Sequence, residues 1–140
     1  MKETAYRIYD SEEKKMYDVD RLDFNEEGEV IGIGHSRWSY ALSEDKKNLM
    51  QCIGRVDVRG KRIFENDIVR TIQLPMTSVP TALCWGVVEY DTDACAYIAR
   101  PTYGSDFLGS FTIQLQYVEV IGNIYENPEL LTNSEVLNYD

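Results

Sequence analysis

The chain has a single histidine, His35, and only three cysteines, Cys52, Cys84 and Cys95, none at Cys-x-x-Cys spacing. That scarcity argues against a disulfide framework and against the common structural zinc sites. Cysteine in apolar, strand-like surroundings behaves as a small hydrophobe, so the three are read as packing residues. No stretch approaches the ~20 consecutive apolar residues of a membrane span, and MKETAYRIYD at the start has no apolar run of the signal-peptide kind. A soluble, cytoplasmic protein with no membrane partner is expected. Lysine and arginine are missing from Pro101 to Asp140, where Asp106, Glu119, Glu126, Glu129, Glu135 and Asp140 are the only charges. At a net charge of −10 the molecule as a whole repels a phosphate backbone, which makes nucleic acid an unfavoured partner.

What is present describes a folded domain. At 140 residues the chain can bury roughly two-thirds of its unfolded surface without a staple. Its ten tyrosines suit half-buried strands, ring packed and hydroxyl wet. Alternation of apolar with polar residues marks strands at Tyr6–Tyr9, Met16–Val19, Leu22–Phe24 and Val30–Ile33, separated by the polar turns Ser11–Lys15 and Asn25–Glu29. Trp38–Leu42 extends this meander, and Ser43–Asn48 reads as a loop or a single helical turn. Gln73–Thr81, with Pro75 and Pro80, reads as a long loop. Trp85–Asp91, Cys95–Ile98, Phe111–Gln116, Val118–Ile121 and Ile124–Tyr125 read as further strands. Asn127-Pro128-Glu129 has the order of a helix start, with a capping side chain, a proline in the first turn and a carboxylate complementing the dipole.

The most informative stretch is Leu49 to Arg70, LMQCIGRVDVRGKRIFENDIVR. Two strand-like runs flank Asp57-Val58-Arg59-Gly60, where glycine supplies the positive φ of a short hairpin. Glu65-Asn66-Asp67 then forms a corner before Ile68-Val69, and Asn66 is the residue expected in the left-handed region. The same region is basic: Lys46, Lys47, Arg55, Arg59, Lys61 and Arg62 stand against Asp57. Ordinary solvated charge is one reading of this Lys46–Arg62 patch. The other is a basic turn docking on the acidic C-terminal region, within the chain or in a second copy.

Residues that could carry chemistry are few. His35 lies in Gly34-His35-Ser36-Arg37 without a motif partner and is read as a surface or satisfied loop histidine rather than a base. Asp91 and Asp93 share a face of an extended chain, as cation-binding carboxylates do, but Asp-x-Asp at a strand end is usually a turn. Gly32-x-Gly34 lacks the third glycine and the helix that phosphate cradling needs, and reads as a loop. No catalytic, cofactor-binding or metal-binding residue is assigned, and no cofactor.

Several segments together resemble the YopX protein family of prophages and their bacterial hosts. These are Tyr6-Arg7-Ile8-Tyr9-Asp10, Lys15-Met16-Tyr17, the run from Leu49-Met50-Gln51 to Arg70, Trp85 to Tyr90, and the closing Val120-Ile121-Gly122-Asn123-Ile124-Tyr125-Glu126-Asn127-Pro128-Glu129-Leu130. Asn66 stands where the family usually has glycine, which agrees with a positive φ there, and Arg59-Gly60 replaces the usual Asn-Gly. The resemblance implies a mainly β, oligomeric protein of phage or prophage origin, and no activity.

The expected architecture is all-β with a short C-terminal helix: an N-terminal meander over residues 1–64 and a small SH3-like barrel over 65–140. The expected function is that of a non-enzymatic accessory protein acting through protein contacts, namely self-association and a host or phage protein partner. The alternatives are a nucleic-acid-related role, as an acidic DNA mimic or as a weak binder through the Lys46–Arg62 patch, and a small metal-dependent hydrolase using Asp91, Asp93 or His35.

Overall fold

The computed structural model describes residues 5–35, 38–41, 48–72, 85–103 and 118–131. Their regular structure is antiparallel β-sheet with short 3₁₀ segments, so the fold is all-β. The chain divides into two compact units, Met1–Cys52 and Ile53–Asp140. The division falls inside one strand, whereas the 1–64 and 65–140 partition places it at the corner after Phe64. The physical reason is the Asp57–Gly60 turn, which keeps Ile53 and Ile63 in the same core as Val69.

In the first unit, β1 (Tyr6–Asp10) pairs with β2 (Lys15–Val19) on one side, Ile8 opposite Tyr17. On its other side it pairs with the first half of β6 (Leu49–Val56), Arg7 opposite Met50. A three-stranded sheet is built from β3 (Arg21–Phe24), β4 (Val30–His35) and β5 (Trp38–Ala41), in that order. The core of this unit is Ile8 and Ile33, with Tyr17, Val19, Leu22, Val30 and Leu49 packed on them. Gly32 and Gly34 lie inside β4, not in a loop. Gly34 faces Arg21 across the ladder, and a Cβ there would come within 3.1 Å of the arginine side chain. Close cross-strand packing, rather than turn formation, explains that glycine.

In the second unit, the rest of β6 neighbours β7 (Arg62–Phe64). A four-stranded sheet runs in the order β10 (Ala96–Tyr103), β9 (Trp85–Asp91), β8 (Asp67–Thr71), β11 (Val118–Asn123), and the expected small barrel takes the form of a curled half-barrel. Ile53, Ile63, Val69, Val88, Ala99, Val118 and Val120 form its core. Each fully buried valine or isoleucine contributes about 1.5–3 kcal/mol of apolar transfer. β6 changes phase as it runs: Met50 and Cys52 are buried at alternate positions, and Ile53 is buried directly after Cys52. Gly54, at φ 84°, accommodates that slip next to it. The expected C-terminal helix is a single 3₁₀ turn, Pro128–Leu131.

Four expectations lie outside the described residues: the Ser43–Lys47 part of the polar loop with Lys46 and Lys47, the Gln73–Thr81 loop, Cys84, and the strand at Phe111–Gln116. No helix among the described residues is long and apolar enough to cross a membrane.

Candidate functional site

The side chains singled out for chemistry are engaged in holding the fold. His35 Nδ1 lies within hydrogen-bonding reach of the Asp18 carbonyl, and its ring packs at 5.2 Å from that of Tyr17, tilted by 54°. It ties β4 to β2 as a satisfied histidine. Asp91 Oδ1 accepts the Asp93 and Ala94 amides at 2.9 and 3.3 Å, and Cys95 follows at φ 53°. The hairpin between β1 and β2 is built the same way: Asp10 Oδ1 accepts the Glu12 and Glu13 amides at 2.9 and 3.1 Å, and Lys14 follows at φ 57°. Asp91 is therefore a turn residue with a counterpart elsewhere in the chain, and Asp93 is exposed. Among the described residues no group of three or more His, Cys, Asp or Glu is placed to hold a metal ion. Cys52 is buried and Cys95 exposed.

The polar centre of the second unit is a corner that the sequence only partly signals. Asn66 has φ 68°, as expected for its corner; its amide donates to Val88 and its carbonyl accepts the Ile124 amide at 3.1 Å. Beside it, buried Asp67 accepts the Phe64 amide at 2.8 Å. Asn123, opposite Asp67 in the ladder, accepts the Tyr125 and Glu126 amides through Oδ1. Asn127 Oδ1 turns back to accept the Asn123 amide at 3.2 Å, and a Cβ on Gly122 would stand 2.5 Å from that oxygen. Gly122 is required because Asn127 occupies the space a side chain would need.

Asp57 joins the hairpin to this corner. It is buried; Oδ1 accepts the Arg59 and Lys61 amides at 2.9 and 2.8 Å, and Oδ2 accepts the Val120 amide of β11 at 2.9 Å. Burial pushes its carboxyl up, but the amides of Val120, Lys61 and Arg59 and the charge of Lys61 outweigh that and hold it below its ordinary value. Glu119 on β11 lies between two arginines, Arg59 Nε at 3.2 Å and Arg70 Nη2 at 3.1 Å. One arginine of the basic turn, Arg59, is thus bonded within the chain to Glu119 of the acidic C-terminal region.

One feature escaped the strand-by-strand reading, although its signal, Asx-x-x-Gly, is visible in the sequence. The turns at Asn25–Glu29 and Asp57–Lys61 share one hydrogen-bond scheme. In each, the first side-chain oxygen accepts the third and fifth amides, at 3.0 and 2.9 Å from Asn25 and at 2.9 and 2.8 Å from Asp57. The first amide donates to the fifth carbonyl, at 2.9 and 2.7 Å, and the fourth amide to the first carbonyl, at 3.1 and 3.0 Å. The fourth residue is glycine at φ 83° or 86°, with open space where its Cβ would be. This is a type I turn closed by a left-handed glycine bulge. The first turn carries Glu26, Glu27 and Glu29; the second carries Arg59 and Lys61, with Arg55 and Arg62 flanking it. Each has two exposed apolar side chains at its base or tip: Phe24 (57%) and Ile31 (43%) at the acidic turn, Val56 (49%) and Val58 (46%) at the basic one. Ile31 owes its exposure to a bulge, since Asp23 pairs with Gly32 and Phe24 with Val30.

Against known proteins, the family model described as YopX protein matches residues 5–132. Comparison with curated proteins gives no match. Among solved structures the chain is similar to the crystal structure of protein EF1440 from Enterococcus faecalis, at 24% identity over 94% of this chain and 99% of that one, with a TM-score of 0.54. At that identity the likeness concerns the fold. The corner and turn residues described above all fall inside the matched span, and the chain belongs to the YopX protein family.

Proposed function

We propose that this is a non-enzymatic accessory protein of phage or prophage origin that acts through protein–protein contacts, self-association among them. The observation that carries the reading is where the polar groups go. Asp10, Asn25, Asp57, Asp91 and Asn123 bind backbone amides of their own turns, while large apolar side chains remain on the surface. Exposed apolar side chains beside ordered polar turns suit contact with another protein. Direct nucleic-acid binding through the basic region is less well supported, because Arg59 is already engaged by Glu119. Light scattering over a micromolar concentration series tests the reading. The expected mass is a multiple of 16.2 kDa; a monomer throughout the series refutes self-association.

A further inference from the structure

The two Asx-x-x-Gly turns have the same backbone and opposite charge, and each exposes a pair of apolar side chains. We infer that the acidic turn Asn25–Glu29 of one copy docks on the basic turn region Arg55–Arg62 of a second copy, with Phe24 and Ile31 packing on Val56 and Val58. The inference rests on the self-association proposed above and adds the surface that carries it.

Three observations support that occupant. First, both turns are held by four hydrogen bonds of the same pattern. Little backbone freedom is therefore lost on contact, and ordering cost is a large part of what association must overcome. Second, the charges are complementary: Glu26, Glu27 and Glu29 are exposed on one turn, and Arg55, Lys61 and Arg62 are exposed on the other, beside Arg59 with its bond to Glu119. Complementary charge fixes orientation and suppresses like-with-like pairing, since two acidic or two basic turns repel. Third, the exposed apolar pairs supply the water-excluded centre that a rim of charge requires. A second copy presents an acidic turn for the basic one and a basic turn for the acidic one, so the contact needs no other kind of chain.

Charge reversal with compensation tests this, read by sedimentation velocity at 50 and 300 mM NaCl. Glu26→Lys with Glu27→Lys reverses the acidic turn, and Arg55→Glu with Lys61→Glu reverses the basic one. None of these positions supplies a side-chain hydrogen bond to the turn scheme, and circular dichroism verifies that each variant folds. Wild-type association is expected to weaken with salt. Each double variant alone should lose at least tenfold in association constant. The mixture of the two, and the quadruple variant, should each recover most of it. Full association of both double variants would overturn the inference while leaving self-association standing, carried by another surface. Loss only on reversing the basic turn would overturn it in favour of a different acidic occupant. Loss without recovery in the mixture and the quadruple variant would overturn the turn-to-turn contact. A wild-type monomer would remove the self-association reading itself.

Discussion

Replacing Asp57 separates two jobs that one carboxylate performs. Asp57→Ala leaves the Arg59, Lys61 and Val120 amides without their acceptor. The Val120 bond is buried, so stranding that amide costs about 1–3 kcal/mol. The other two are partly buried and can turn to water, at about 0.5–1 kcal/mol each. The expected loss is about 2–5 kcal/mol, a large share of the roughly 5–15 kcal/mol that holds an ordinary domain. Asp57→Asn is the sharper probe. It keeps an oxygen for the hairpin amides but turns an NH₂ group toward the Val120 amide, donor against donor, at about 1–3 kcal/mol. Asn25→Asp makes the reverse exchange in the twin turn, where the second side-chain position has no strand to hold, and should fall within about 0.5 kcal/mol of wild type. Urea denaturation at pH 7 measures all three, and a shift in midpoint without a change in slope reports stability alone. Acid adds a second readout. Asp57 titrates below its ordinary 3.8 in the folded chain. Its ionised form therefore adds stability that is complete above that value and is lost as pH falls through the folded value. The gap between wild type and Asp57→Asn should narrow below about pH 3.8. Equal midpoints for Asp57→Asn and Asn25→Asp at pH 7 would refute the claim that Asp57 ties the hairpin to β11.

Asn66→Gly should be neutral or mildly stabilising because φ is 68° there, while Asn66→Val should cost on the order of 1 kcal/mol or more; thermal midpoints compare them, and equal values count against the corner. Gly122→Ala should cost about 1–3 kcal/mol, since the new methyl displaces Asn127. In a double-mutant cycle Asn127→Ala should absorb much of that cost, and strict additivity would argue against the clash. Cys95→Gly and Lys14→Gly should each stabilise by up to about 1 kcal/mol by relieving a left-handed residue; a loss in chemical denaturation at both sites contradicts the turn geometry.

Strands were legible where apolar and charged residues alternate, as at Met16–Val19, or where β-favouring residues run together between turn signals, as at Trp85–Asp91. Asn66 was legible for a related reason, since few side chains tolerate its φ. Less was visible where one residue serves a distant partner. Asp57 looks like any hairpin aspartate, and only the fold brings the Val120 amide to its second oxygen. Gly34 reads as a loop residue because sequence cannot show Arg21 packing on it across the ladder. The helix signals at Asn127–Glu129 yielded only a 3₁₀ turn, because the asparagine oxygen that could have capped it binds Asn123 instead. The site was the least legible part. Its ingredients are ordinary turn residues, and their likeness emerges only from the hydrogen-bond scheme that both hairpins share.

That shared geometry has a consequence for how such a protein can change. The scaffold of each hairpin end depends on an Asx oxygen at its first place and a glycine at its fourth. Apart from Arg59, which Glu119 engages, and Lys61, whose charge supports the Asp57 carboxylate, the intervening and following residues answer to no such constraint, so mutation can rewrite much of the electrical face of either end while the main chain beneath it stays still. A lineage carrying this chain could exchange one binding companion for another through a few surface codons, without first having to find a new way to fold.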